Sequence, residues 1–302
     1  MILSAPAKLN LCLFLGPRRE DGLHELCSLF EPLALADTIE VSELEREEEN
    51  ARSDEVVCPG VPGDPADNLA ARALAALRER GWQAPPLRVE IEKRIPIAAG
   101  LGGGSADAAA VLRLAATGAL VGDIPTYAPM GAPMARDLPA LAAELGADVP
   151  SQLDPALSLV RGAGERVERL ADPEPHAVVL LPGGGGLSTA AVFAEADRLG
   201  LGRSAAELDA LADRLRDAAG DGASPLAYVE LLENDLEPAA RSLRPDIGDA
   251  LDALRAAGAP LALQTGSGPT VFGLFPTLAE AERAAIALGR DDAIVCEAGR
   301  AP

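Results

Sequence analysis

The sequence predicts an α+β fold in two halves. Strand-like and amphipathic helical segments alternate along all 302 residues, with hairpin-like pairs among them. A glycine-rich stretch at residues 96–107 joins a strand signal to a helix signal, and two more glycine runs follow later. Hydrophobic residues make up 48% of the chain and aromatics only 3%, enough for a sizeable core built largely of Ala and Leu. The length allows two domains of ordinary size, and the join falls within 155–170. The expected division is 1–162 and 163–302.

The elements follow in order. Residues 8–15 read as a strand with Leu9, Leu11, Leu13 and Leu15 on one face and Lys8 and Asn10 on the other. A lysine and an amide there mark either a solvated edge or a site. A charged turn over 16–22 precedes His24, one of two histidines, and residues 26–35 read as a second strand. The acidic run 43–50 is expected to be a solvated loop. Asp67 or Asn68 caps a helix to about Arg80, with Leu69, Ala73, Leu74 and Leu77 facing inward, and Gly81 ends it. Trp82, just beyond, is expected to pack in the core. The alternation Leu87, Val89, Ile91 is a strand.

Next comes Pro96-Ile97-Ala98-Ala99-Gly100-Leu101-Gly102-Gly103-Gly104-Ser105-Ala106-Asp107. Four glycines in five positions let the backbone take positive φ and approach a ligand closely. Ser105 and Asp107 stand at or near a helix start, where caps are favoured. Unpaired N–H groups and the positive end of the helix dipole make such a place an anion site. The stretch is not a P-loop, since no Gly-Lys-Ser/Thr follows the glycines, and it does not match a dinucleotide fingerprint. A phosphate cradle is the physical reading.

Residues 118–133, rich in Gly and Pro, are expected to form a flexible loop or lid. A helix over 136–145 ends sharply at Gly146-Ala147-Asp148-Val149-Pro150. Residues 157–170 predict a hairpin, and 176–181 a buried strand ending in Pro182-Gly183-Gly184-Gly185-Gly186, either a ligand loop or a slack linker. Ser188 or Thr189 caps the next helix. Helices near 204–219, 235–242 and 246–257 precede strands at 261–264 and 270–275, which flank Thr265-Gly266-Ser267-Gly268-Pro269. A helix near 277–289 and a strand near 292–296 complete the pattern.

A net charge of −21 argues against nucleic acid and against an anionic membrane as partners. No apolar run is long enough for a membrane span, and no signal peptide is evident at residues 1–8. Cys12, Cys27, Cys58 and Cys296 are scattered, with no paired spacing, and read as free thiols in a reducing cytoplasm.

Three glycine-bearing motifs in this order resemble the GHMP kinase superfamily. Ala5-Pro6-Ala7-Lys8-Leu9-Asn10-Leu11, Asp21-Gly22-Leu23-His24-Glu25-Leu26, the 96–106 loop, Gly146-Ala147-Asp148-Val149-Pro150, Asn234-Asp235-Leu236-Glu237 and Thr265-Gly266-Ser267-Gly268 together narrow the resemblance to the 4-diphosphocytidyl-2-C-methyl-D-erythritol kinases. It spans nearly the whole chain. It implies an N-terminal βαβ-type nucleotide-binding domain and a C-terminal ferredoxin-like α/β sandwich domain. It also implies transfer of the ATP γ-phosphate, with Mg²⁺ bridging the phosphates, to the 2-hydroxyl of a cytidine-diphosphate-linked methylerythritol in the non-mevalonate isoprenoid route.

By the same resemblance Asp148 accepts or positions the hydroxyl proton, and Lys8 holds Asp148 and the transferring phosphate. Pro96, Ile97, Ala98, Ala99, Gly100, Leu101, Gly102, Gly103, Gly104, Ser105, Ala106 and Asn68 bind ATP. Asn10, His24, Asp148, Thr265 and Gly266 bind the acceptor, with His24 reading the cytosine edge. Metal ligands are not assigned. Two departures stand out: Leu23 replaces the aromatic residue that usually precedes the histidine, and Ser151-Gln152 follow Pro150 where apolar or aromatic residues are usual. The other readings are a GHMP kinase for another alcohol, such as homoserine or mevalonate, and a non-catalytic nucleotide-binding protein on the same fold. The sequence leaves the oligomeric state between a monomer and a weak homodimer.

Overall fold

A computed structural model describes residues 1–44, 53–117, 120–121, 124–125 and 132–302. Most of the acidic run 43–50 and of the segment 118–133 therefore lies outside the described residues. In chain order the elements are β1 (Ile2–Arg18), β2 (His24–Glu43), β3 (Glu55–Val57), α1 (Leu69–Glu79), β4 (Leu87–Glu92), α2 (Gly103–Thr117), β5 (Leu120–Val121), β6 (Ile124–Pro125), α3 (Ala132–Leu145), β7 (Ser158–Gly162), β8 (Arg166–Arg169), β9 (His176–Leu181), α4 (Thr189–Leu199), α5 (Ala205–Ala219), α6 (Glu237–Leu243), α7 (Asp246–Ala256), β10 (Leu261–Gln264), β11 (Val271–Phe275), α8 (Leu278–Leu288) and β12 (Ile294–Ala298). The first two strands run well past the expected 8–15 and 26–35.

The chain packs as two units that interleave along the sequence. The first comprises 1–7, 36–97 and 102–154; the second comprises 8–35, 98–101 and 155–302. The linear cut after residue 162 falls at the end of β7.

In the first unit β4 lies between the C-terminal part of β2, antiparallel, and β3, parallel. The parallel β3–β4 pair is joined through α1, a βαβ connection. Leu87, Val89 and Ile91 point into a core with Ala73, Leu74 and Leu77 of α1 and the buried Ala and Leu side chains of α2. Small alanines let α1 and α2 approach each other closely. Asn68 is the α1 cap: its Oδ1 accepts from the Ala70 N–H at 2.8 Å. Trp82 packs in the same core, 3% exposed, with the Arg78 guanidinium over its ring.

In the second unit the strands run β10-β11-β9-β12, all antiparallel to their neighbours. In chain order that is β9, helices, β10, β11, α8, β12, which gives a ferredoxin-like sheet. Ala177, Val179 and Leu181 of β9 face Val192 and Ala196 of α4, Leu251 and Leu254 of α7, and Ala281 and Ala284 of α8. The expected 157–170 hairpin is β7–β8, and β7 pairs with Leu26–Phe30 of β2. His176 is fully buried against Glu31, with Nε2 3.2 Å from the carboxylate; it serves the core.

Candidate active site

The glycine loop follows β4 and opens α2. Its backbone takes left-handed values at Ala98 (φ 55°), Gly100 (φ 78°) and Gly102 (φ 71°). A Cβ on Gly100 would sit 3.1 Å from the carbonyl oxygen of Gly268, so glycine is required there by both φ and space. The first N–H groups of α2 have no acceptor within the helix, and the helix dipole adds positive potential at the same place. From Ala106 to Leu112 the helix is buried, so its N-terminus is a fixed platform. Ser105 is half-buried at its head.

Beside this platform lies a charge cluster that the sequence reading missed. Lys93 Nζ donates to the carboxylates of Asp37 and of Asp107, the latter at 2.8 Å. Asp37 also accepts the N–H groups of Arg94 and Ile95 at 2.6 and 2.8 Å. Both acids are almost wholly buried. A Cβ on Gly103 would lie 3.2 Å from Lys93 Nζ, which puts the ammonium against the first turn of α2. Asp107 is thus not a cap. It stands inside the helix as a partner of Lys93, and its Oδ1 has no hydrogen-bond partner among the described residues. Burial pushes the Asp107 carboxyl up to about 6, against the opposing pull of Lys93. The available signal was positional: Lys93 lies three residues before the loop.

The Lys8/Asn10 face of β1 is not a solvated edge, for the two residues are 5% and 3% exposed. Lys8 Nζ donates to Asn10 Oδ1 at 2.6 Å and lies 4.7 Å from the Phe30 ring centroid. Asn10 Nδ2 donates to Ser28 Oγ at 3.0 Å, and the Asn10 N–H donates to Thr265 Oγ1 at 2.8 Å. The Lys8 N–H donates to the Leu101 carbonyl at 3.0 Å. Gly266 (φ 56°) leaves room for the Asn10 amide, whose Oδ1 would be 3.1 Å from a Cβ there. Asn234, read only as part of a family motif, ties this loop down by donating from Nδ2 to the carbonyls of Gln264 and Gly266 at 2.7 and 2.9 Å. In the second unit, then, Lys8, Asn10, Gly100, Leu101, Thr265 and Gly266 are brought together.

His24 stands apart from them at the start of β2, 8% exposed. Its Nε2 is 2.8 Å from Asp197 Oδ1, and its ring centroid is 5.4 Å from that of Phe193. Neither α4 residue was singled out in the sequence. Leu23 is 55% exposed. Asp148 belongs to the first unit, in the turn after α3, where Ser151 Oγ donates to its carbonyl at 2.9 Å. Asn68 is in the same unit: Leu69, next to it, would be 3.5 Å from a Cβ on Gly104. Among the described residues no group of three His, Cys, Asp or Glu side chains could hold a metal ion.

Two family models match, the GHMP kinases N terminal domain at residues 68–154 and the GHMP kinases C terminal at 208–292. A Mycolicibacterium gilvum protein named 4-diphosphocytidyl-2-C-methyl-D-erythritol kinase is 41% identical over 272 residues, covering 88% of this chain and 79% of its own length. The chain belongs to that kinase family. A relative of the same name from Anaeromyxobacter sp. (strain K) is 39% identical over 292 residues, with 95% of this chain and 85% of the relative covered. The crystal structure of a 4-(cytidine 5'-diphospho)-2C-methyl-D-erythritol kinase superposes with a TM-score of 0.76 at 35% identity, covering 99% of this chain and 100% of that one. As a GHMP kinase, the protein is an ATP-dependent phosphotransferase acting on a small molecule. The transition state of such a transfer spreads charge over phosphoryl oxygens.

Proposed function

We propose that the protein phosphorylates the 2-hydroxyl of 4-diphosphocytidyl-2-C-methyl-D-erythritol with ATP, in the non-mevalonate route to isoprenoid precursors. The observation that carries this is the 41% identity over 88% of the chain to a kinase named for that substrate. The buried Lys8–Asn10 pair supports it as a held cation on an otherwise apolar strand.

In this reading residues 96–106 wrap the ATP phosphates, whose oxygens accept from the N–H groups at the head of α2. Asn68 orders the nucleotide side. Asp148 accepts or orients the proton of the acceptor hydroxyl. Lys8 stabilises the charge of the transferring phosphoryl group. Asn10, Thr265 and Gly266 position the acceptor. Mg²⁺ would neutralise charge on the phosphates. Mg²⁺ is usually held by phosphate and water oxygens with few protein ligands. Cytosine meets His24 and the Phe193 ring; base stacking of that kind contributes roughly 1–3 kcal/mol, which offsets the loss of an aromatic at Leu23. Four free thiols suit a cytoplasmic enzyme.

Asp148→Asn should lose at least about two orders of magnitude in kcat while ATP still binds, the usual scale for a proton acceptor. Near-normal turnover would remove Asp148 from that role. Phosphorus NMR of the product should show one new phosphomonoester on the methylerythritol moiety; ADP release without it would contradict the assigned reaction.

A further inference from the structure

We propose that Asp197 is a positioning residue that sets His24 to read the exocyclic amino group of cytosine and so to prefer cytidine over uridine. This rests on the function proposed above and concerns how its base site discriminates.

The argument begins with a residue in an unfavourable place. Asp197 is in the last turn of α4, where the helix dipole disfavours an acid. That turn is fixed by Gly200 in the left-handed conformation, with its N–H donating to the carbonyls of Ala196 and Asp197. Phe193 and Asp197 are four residues apart and therefore share a face of the helix; both meet His24. Nothing in the helix needs a carboxylate there. What it contacts is the imidazole, at 2.8 Å.

The chemistry then follows from donors and acceptors. A carboxylate only accepts, so the Nε2 it touches must carry the proton. In the neutral ring Nδ1 is then an acceptor. It has no partner among the described residues and is not among the buried, unpartnered atoms. Cytosine presents an amino donor at the position where uracil presents a carbonyl acceptor. An Nδ1 acceptor therefore pairs with cytidine and opposes uridine. Burial of His24 sharpens the difference, because an unmatched polar pair in a site sheltered from water is costly. Without Asp197 the ring is free to place its proton on Nδ1, which would suit uracil.

The test uses the full-length chain with the cytidine-diphosphate substrate and its uridine-diphosphate counterpart. In Asp197→Ala, which leaves Nε2 without its acceptor, kcat/KM for the cytidine compound should fall roughly ten- to hundredfold, through KM rather than kcat, with the uridine compound unchanged or improved. Asp197→Glu should restore most of the preference. Nitrogen-15 NMR of histidine-labelled protein reads the tautomer directly, and with two histidines, one of them buried His176, assignment is simple. The expected wild-type signal is Nε2–H with a bare Nδ1 for His24, shifted in Asp197→Ala. Equal losses on both nucleotides, or a wild-type proton on Nδ1, would overturn the inference. Normal wild-type turnover with an unchanged base preference in Asp197→Ala overturns it alone; no wild-type turnover of either compound overturns the functional reading and this one with it.

Discussion

Two glycine runs that look alike in the sequence, 100–104 and 183–186, are held in different ways. At Gly100 and Gly103 other atoms occupy the place of a side chain: the Gly268 carbonyl at 3.1 Å, and Ile95 and Lys93 at 3.1 and 3.2 Å. At Gly184 and Gly185 a Cβ would meet nothing within 4 Å. Their carbonyls accept from Arg244 at 2.9 and 2.7 Å. The first run leads straight into a buried helix braced by Lys93, Asp37 and Asp107. The second leads through Leu187 to the Ser188 cap of a half-exposed helix. Glycine count therefore does not identify a ligand loop. What separates the two runs is the buried, braced helix that follows the first, for close approach also occurs at Gly183, where a Cβ would lie 3.4 Å from the Pro269 carbonyl oxygen.

The strongest way to break this comparison is to remove the brace of the first run. Lys93→Met would leave two buried carboxylates without their cation and should cost about 3–5 kcal/mol in urea unfolding; a loss under about 1 kcal/mol would mean that the cluster does not hold the loop. Next comes Gly100→Ala, which forces an L-residue to φ 78° against the Gly268 carbonyl. About 1–2 kcal/mol of stability and a clear rise in the KM for ATP are expected, with unchanged ATP kinetics as the contrary result.

A pH comparison sharpens the electrostatics. Burial raises the Asp107 carboxyl from 3.8 to about 6. The folded chain therefore keeps a proton that the unfolded chain releases between about pH 4 and pH 6, and stability from this group falls as pH rises through that window. Relative to Asp107→Asn, the wild type should lose about 1–2 kcal/mol between about pH 5 and pH 7.5; parallel pH profiles would refute the shift. The smallest effect belongs to the second run: Gly184→Ala should change stability by less than about 0.5 kcal/mol and leave turnover alone.

Most of the fold was legible because its signals are local. The Leu87–Val89–Ile91 alternation, the Asn68 cap and the hairpin at β7–β8 all lie within a few residues of one another. The lengths of β1 and β2 were not, since strands buried on both faces lose their alternation: Cys12, Leu13, Phe14 and Leu15 are all buried. The unread parts of the site are long-range pairings. Lys93 meets Asp37 across 56 positions, and His24 meets Asp197 across 173. Singly, each reads as an ordinary surface charge, and only the fold brings the partners together. The same applies to Asp107, whose place near a helix start suggested a cap until its partner was visible.

The most direct measurement is kcat/KM with ATP and Mg²⁺ on three alcohols: the cytidine-diphosphate-linked methylerythritol, homoserine and mevalonate. Turnover confined to the cytidine compound is the predicted result. Comparable or greater turnover of homoserine or mevalonate would keep the phosphate loop and contradict the assignment of the base site.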